Sequence, residues 1–106
     1  MRHYILNEKR EAVAVDVMTW AEWYSGKSFD ESRRVADTMV GEVRISTVFL
    51  GSDHNWGEGR PLIFETMVFG GEWDEEQERY STWEEAEKGH GNWVRFIEGK
   101  GKHPNG

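Results

Sequence analysis

Cysteine is absent from this chain of 106 residues, which excludes both a disulfide framework and a thiolate metal site. Proline occurs only twice, and no apolar run approaches the roughly 18 residues that a membrane-spanning helix needs. The amino-terminal stretch MRHYILNEKREAV also lacks the long apolar core of a secretion signal. These absences predict a soluble cytosolic protein with no membrane partner.

Basic residues are outnumbered, since 13 lysines and arginines face 20 aspartates and glutamates, for a formal net charge of −7. Such a surface argues against binding to a nucleic acid polymer, because neutralising phosphates requires a basic face. Aromatic residues are abundant by contrast, with six tryptophans, five phenylalanines and three tyrosines. We therefore expect aromatic rings to dominate either the core or the recognition of a ligand.

Hydrophobic periodicity and turn chemistry predict one α+β domain over residues 1–98 and a flexible tail over residues 99–106. The expected architecture is a small antiparallel sheet of about four to six strands, with a short helix after the first hairpin and a longer C-terminal helix packed on the sheet. The predicted elements are strands at 3–6 and 11–15, a helix capped by Asp16 and ended by Gly26, an edge strand in RRVADTMV, strands at 43–50 and 62–69, and a helix that begins with the capping pair Ser81 and Glu84. The segment DESRRVADTM also has helical propensity, so a helix is the alternative there.

The two central strands carry apolar side chains at both odd and even positions. Val43, Ile45 and Phe49 alternate with Val48 and Leu50, and the second strand repeats this pattern. A strand that is apolar on both sides is typical of a sheet covered on both faces. We expect helices to cover one face and a second subunit to cover the other, as in a homodimer.

The connection between the central strands, GSDHNWGEGRPL, holds more polar chemistry than a turn requires. Its glycines let a ligand approach the main chain, and long ordered connections are often functional. Its side chains offer hydrogen-bonding groups, a stacking face and a guanidinium fork suited to phosphate or carboxylate. The candidate ligand-binding residues in this loop are Asp53, His54, Asn55, Trp56, Gly57 and Arg60. The alternative is a glycine-rich turn whose polar side chains bind only their own backbone.

Other polar residues lie at apolar positions. Glu65 occupies the middle of an apolar strand, where a carboxylate must be hydrogen-bonded, paired or protonated. If Thr47 lies beside it across the strands, both join the candidate ligand site, whereas an ion pair with Arg44 or Arg34 is the alternative. His90 lies on the apolar stripe of the last helix, where a hydrogen-bonded core histidine is more common than a ligand. Short metal-ligand spacings are missing, and we expect neither a metal nor a cofactor.

Four sequence motifs follow one another along the chain after residue 45: STVFLG, DH, PLIFETMVFGG and RYSTWEEA. Together they resemble a group of small proteins of tailed bacteriophages and prophages, and the resemblance extends from Tyr4 to about His90. It implies a phage gene and a location in the host bacterial cytoplasm. Arg60 and Trp56 depart from the pattern of the group, in which a smaller residue and phenylalanine are expected.

Small acidic phage proteins without a set of catalytic residues often function by binding another molecule. This argument is an analogy with other phage proteins of this kind. The leading hypothesis is a non-enzymatic anti-defence protein that sequesters a small nucleotide-like immune signal at the 51–61 loop. A second hypothesis is a small hydrolase or lyase in which His54 is the base or metal ligand and Glu65 orients it. A third is an acidic inhibitor that docks on a host protein through the run EWDEEQE.

Overall fold

The computed structural model describes residues 2–26, 33–53 and 59–105. Within these residues the chain forms two helices and six strands, which confirms the predicted α+β class. The elements are β1 (His3–Leu6), β2 (Ala12–Val15), α1 (Val17–Gly26), β3 (Arg34–Val40), β4 (Val43–Phe49), β5 (Phe64–Phe69), β6 (Gln77–Tyr80) and α2 (Trp83–Ile97).

Two antiparallel sheets make up the β structure, a hairpin of β1 and β2 and a four-stranded sheet in the order β3-β4-β5-β6. The segment that follows β4 connects them. The Tyr4 N–H donates to the Gly51 carbonyl at 2.8 Å, and the Asp53 N–H donates to the Arg2 carbonyl at 3.1 Å. The hairpin is therefore fixed against the end of the larger sheet.

The predicted cap of α1 is confirmed, because the Thr19 N–H donates to the Asp16 carboxylate at 2.8 Å. That bond holds the pKa of the Asp16 carboxyl below its usual value. The helix packs on the hairpin and places the Trp23 ring edge-on against Phe49, with the ring centroids 5.7 Å apart. α1 thereby closes the core at the end of the sheet that carries the hairpin.

The edge strand preferred for RRVADTMV is confirmed as β3, which is joined to β4 by a tight turn at Gly41. β-branched residues are frequent in both strands and suit the extended backbone. A bulge between Arg34 and Ala36 interrupts the pairing near the start of β3. Such a bulge twists an edge strand and discourages pairing with another chain.

α2 crosses the inner face of the four-stranded sheet and buries Ala86, Gly89, His90 and Trp93. The predicted capping pair Ser81 and Glu84 is wrong by one residue, because the Thr82 hydroxyl accepts from the Glu85 N–H at 3.1 Å. β6 extends to Tyr80, whose carbonyl accepts a hydrogen bond from the Ile63 N–H. The helix can therefore begin only after this residue.

The outer face of the sheet differs from the prediction of an apolar surface. Arg44 pairs with Asp37 at 2.9 Å, and Arg79 pairs with Glu65 at 3.0 Å. Met39 and Phe69 are exposed beside them. Ion pairs across neighbouring strands are typical of a solvent-facing antiparallel sheet. The predicted homodimer remains a prediction.

Candidate functional site

A cleft of about 370 Å³ opens between the β1–β2 hairpin, the chain that leads into β5 and the start of α2. Pockets that hold small ligands commonly have volumes of 300–1,000 Å³. The residues that line the cleft are Tyr4, Arg10, Glu11, Ala12, Arg60, Pro61, Ile63, Ser81, Thr82, Trp83 and Glu84. Aromatic, cationic and acidic groups therefore line one open cleft.

The hairpin turn NEKR presents Arg10 to this cleft in a strained conformation. The Asn7 side-chain oxygen accepts from the Lys9 N–H at 2.9 Å and from the Glu11 N–H at 3.0 Å, which fixes the turn. Arg10 then adopts a φ of 63°, in the left-handed region where glycine is the usual turn residue. Strain of this kind persists where the surrounding structure enforces it, and it is frequent at functional sites.

The Arg10 guanidinium lies over the indole of Trp83, 4.5 Å from the ring centroid. This is the geometry of a cation–π contact. The Trp83 Nε1 atom is shielded from solvent and has no hydrogen-bond partner among the described residues. A buried N–H without an acceptor costs roughly 1–3 kcal/mol, so the position of the Trp83 ring is enforced by its packing rather than by a hydrogen bond.

Arg60 reaches the same cleft from the end of the candidate loop. Its guanidinium binds Glu85 through two bonds, of 3.0 Å from Nη1 and 2.8 Å from Nη2. These bonds hold the pKa of the Glu85 carboxyl below its usual value, and the Thr82 hydroxyl contributes to the same shift. The cap of α2 thus fixes the orientation of the Arg60 fork at the cleft, where both side chains are largely exposed.

The rest of the candidate loop is described only at its root. Asp53 accepts from the Leu62 N–H at 3.1 Å through its carboxylate, so it braces the two ends of the loop. The other predicted ligand-binding residues of the loop, His54, Asn55, Trp56 and Gly57, lie outside the described residues.

Thr47 and Glu65 do not lie beside each other, contrary to the pairing considered from sequence. Glu65 pairs with Val48 across the strands, and Thr47 pairs with Thr66. A shift of one residue in register places the two side chains on opposite faces of the sheet. Glu65 binds Arg79 on the outer face, so the ion-pair alternative holds with a different arginine. Neither residue lines the cleft.

Thr47 instead belongs to a buried polar layer between α2 and the inner face of the sheet. The His90 ring contacts Thr47 Oγ1 through Nδ1 at 2.7 Å and Thr38 Oγ1 through Nε2 at 2.8 Å. Thr47 Oγ1 also lies 2.5 Å from Thr66 Oγ1. His90 is therefore a hydrogen-bonded core residue, as expected. Burial lowers its pKa, and the negative charge of Asp37 opposes this shift.

The layer continues from Thr66 to the other edge of the sheet. The Tyr80 hydroxyl lies 3.0 Å from Thr66 Oγ1 and 2.8 Å from Glu78 Oε1, and the Trp93 indole donates to the same carboxylate at 3.1 Å. Burial raises the pKa of the Tyr80 hydroxyl. A Cβ atom on Gly89 would lie only 2.2 Å from the Tyr80 hydroxyl, so the glycine in mid-helix provides the space for this tyrosine.

The buried layer is a continuous chain of hydrogen-bonding groups. The Tyr80 hydroxyl is the donor towards both Thr66 Oγ1 and the Glu78 carboxylate, which only accepts. Between Thr47 and Thr66 either hydroxyl can donate, and the roles of the two His90 ring nitrogens depend on the tautomer. This layer is an ordered structural element that connects α2 to the sheet.

Arg10 and Trp83 are the cleft residues that the sequence analysis missed. Arg10 lies in a turn that reads as a plain polar connection, and only its backbone conformation marks it. Trp83 begins α2 and packs against the core, but it also lines the cleft. Its position directly after the helix cap is the one signal in the sequence that could have placed it near a helix terminus.

The described residues contain no cluster of three or more histidine, aspartate or glutamate side chains arranged to hold a metal ion. No helix within the described ranges is long and apolar enough to cross a membrane. In comparisons with models of known protein families, with curated proteins and with solved structures, no match to the chain was found.

Proposed function

We propose that the protein is a non-enzymatic binder of a small anionic ligand with a flat ring, held in the cleft between the hairpin and α2. The supporting observation is the pair of Arg10 and Trp83, in which a cation and a ring face the cleft despite the strain in the Arg10 backbone. This pair suits a flat ring beside a phosphate, because a guanidinium stacked on an indole can still stack with a ring on its outer face and bind oxygen atoms in pairs along its edge.

The other lining groups fit a nucleotide-like molecule. The first turn of α2 adds the partial positive charge of a helix N-terminus. Glu11 and Glu84 offer acceptors for amino groups of a base or hydroxyl groups of a sugar. Arg60 provides a second guanidinium, oriented by Glu85. A molecule with both anionic and donor groups matches this mixture better than a simple anion does.

The resemblance to phage proteins suggests the biological form of this function. A binder that holds a nucleotide-like immune signal without cleaving it would act as an anti-defence protein in the host bacterium. Its capacity would then depend on the amount of protein present, since each cleft removes one molecule of signal.

The test is binding to a panel of cyclic oligonucleotides and ADP-ribose-derived nucleotides. The protein should remove at least one of them from solution and release it unchanged after denaturation. Arg10→Gly should weaken that binding by about tenfold or more, because a charged hydrogen bond contributes roughly 1.5–3 kcal/mol. The fold should survive, because relief of the strained φ offsets the lost cation–π contact.

Lys9→Ala is the matched control, since it removes the same charge from the neighbouring turn position outside this cleft. It should change the affinity by less than about twofold, as expected for a surface charge. Absence of uptake across the whole panel, or equal affinity of the Arg10→Gly variant and the wild type, would contradict the proposal. A ligand recovered in chemically altered form would favour the enzymatic alternative.

A further inference from the structure

Three aromatic rings surround the His103 imidazole on the side of the molecule that carries the acidic loop before β6. The ring centroids of Trp73, Trp93 and Phe96 lie 5.1, 5.0 and 4.8 Å from that of His103. Trp73 and Trp93 each pack edge-on against Phe96. We call these three rings, with Glu76, the aromatic cage.

Glu76 completes the cage with a carboxylate. Its Oε1 atom lies 3.2 Å from Nε2 of His103, and the histidine side chain keeps only 21% of its surface exposed. Aromatic rings with an adjacent carboxylate are the arrangement that recognises organic cations, because the ring faces and the carboxylate are both negative. The chemistry of the cage therefore matches a positively charged side chain rather than an apolar one.

The walls of the cage are held independently of His103. The loop that carries Trp73 is closed by a bond of 2.6 Å from the Gly70 N–H to Asp74 and by one of 2.8 Å from the Glu75 N–H to Val68. The Trp93 indole N–H donates to the Glu78 carboxylate of the buried layer, which fixes the position of this ring. A preformed cage loses little entropy on binding.

The occupant of the cage is the chain's own basic tail. His103 follows Lys100 and Lys102, while the loop beneath it is the acidic run from Glu72 to Glu76. Gly99, with a φ of 79°, reverses the chain after α2 and directs the tail back towards the cage. The tail thus resembles an internal ligand, and its composition indicates what this surface accepts: a basic segment that places one side chain among the three aromatic rings and beside Glu76.

We propose that the aromatic cage is a docking site for an organic cation on a basic segment of a partner protein, and that the tail with His103 occupies this site until the partner displaces it. The site lies apart from the cleft of the proposed function and does not depend on it. The same surface contains most of the acidic run EWDEEQE, the segment through which the third hypothesis from sequence expects docking on a host protein.

The test uses the full chain with His103→Ala, which leaves the cage open. Two probes are titrated by isothermal calorimetry, both with the tail sequence GKGKHPNG and a substitute at the histidine position. One substitute is trimethyl-lysine, and the other is its uncharged isostere with a tertiary carbon. The charged probe should bind saturably and about fivefold to thirtyfold more tightly, since a cation–π contact that is partly shielded from water contributes roughly 1–2 kcal/mol.

Two cage variants and one control complete the test. Trp73→Leu should abolish the preference for the charged probe, and Glu76→Gln should reduce it, whereas Glu72→Gln in the same loop should leave it within about twofold. Glu76→Gln alters an exposed carboxylate, so it remains informative if Trp73→Leu fails to fold. Equal affinity for the two probes, or no binding of either, would overturn the proposal.

The wild-type chain gives an independent readout by NMR. The imidazole protons of His103 should be displaced from their usual positions by the ring currents of three neighbouring rings. Addition of the trimethyl-lysine probe should return them towards the values of a free tail. Binding of the probe without that change would place it elsewhere and would also overturn the proposal.

Discussion

Replacement of Gly89 by alanine should loosen α2 from the sheet more than any other single methyl addition to this helix. The new Cβ atom would lie 2.2 Å from the Tyr80 hydroxyl and 2.3 Å from two carbons of its ring. Real Cβ atoms do not approach so closely, and the ring is held in the buried layer by Thr66 and Glu78. Either α2 or Tyr80 must therefore move.

The expected cost follows from three contributions. Forcing an extra carbon into a packed core costs about 1–3 kcal/mol. Displacement of the Tyr80 hydroxyl loses two buried hydrogen bonds, each contributing about 1 kcal/mol. Alanine regains about 1 kcal/mol of helix propensity relative to glycine. The free energy of unfolding should thus fall by about 2–4 kcal/mol, a large fraction of the 5–15 kcal/mol that is typical of a domain.

Urea denaturation followed by circular dichroism measures this change, and Gly91→Ala is the matched control. A Cβ atom on Gly91 meets nothing within 4 Å, so that variant should gain about 0.5–1 kcal/mol from helix propensity alone. The change in the free energy of unfolding should therefore have opposite signs in Gly89→Ala and Gly91→Ala. An unchanged or higher stability of Gly89→Ala would refute the close packing of α2 on Tyr80.

Three further predictions concern the same framework. Burial lowers the pKa of His90 below the 6.5 of the unfolded chain, so the native state binds fewer protons just below that pH. The free energy of unfolding should therefore decrease as the pH is lowered through this window, and should decrease less steeply in His90→Gln. Parallel pH profiles of the two proteins would contradict a buried neutral ring. Nitrogen NMR at neutral pH should find the His90 ring neutral, with a proton on only one of its two nitrogens, because burial disfavours the charged ring; a ring protonated on both nitrogens would contradict this. Thr82→Ala should lower the free energy of unfolding by about 1 kcal/mol because it removes a helix cap, and Ser81→Ala should lower it clearly less. The opposite order would show that Ser81 is the cap, as the sequence predicts.

Much of the fold could be predicted because local signals agreed with one another. The carboxylate of Asp16 before an apolar run and the glycine at its end define α1, and both are where the pattern predicts them. The density of β-branched residues likewise predicts β4 and β5. Such signals operate within a few residues, so they need no knowledge of the tertiary structure.

The misplaced features depend on relations between distant residues. The pairing of Thr47 with Glu65 failed because strand register is set by the whole sheet, and a shift of one residue exchanges the faces. The cap at Ser81 failed because the sheet extends to Tyr80 and delays the helix. The predicted apolar outer face contains ion pairs whose partners come from different strands, such as Arg79 with Glu65.

The candidate site was predicted only in part for the same reason. Arg60 could be singled out because glycines and polar groups surround it in sequence. Arg10 and Trp83 are more than 70 residues apart in the numbering, and only the docking of the hairpin beside α2 brings the guanidinium to 4.5 Å from the indole. No pattern in the neighbouring sequence predicts this contact.

Native mass spectrometry of the protein, purified gently from bacteria in which it is produced during phage infection, tests the proposed binding function most directly. We expect a wild-type species heavier by the mass of one small anionic molecule per cleft, with that molecule released intact on denaturation and missing from the Arg10→Gly variant. A wild-type spectrum with the bare polypeptide mass alone, or an adduct retained equally by Arg10→Gly, would contradict it.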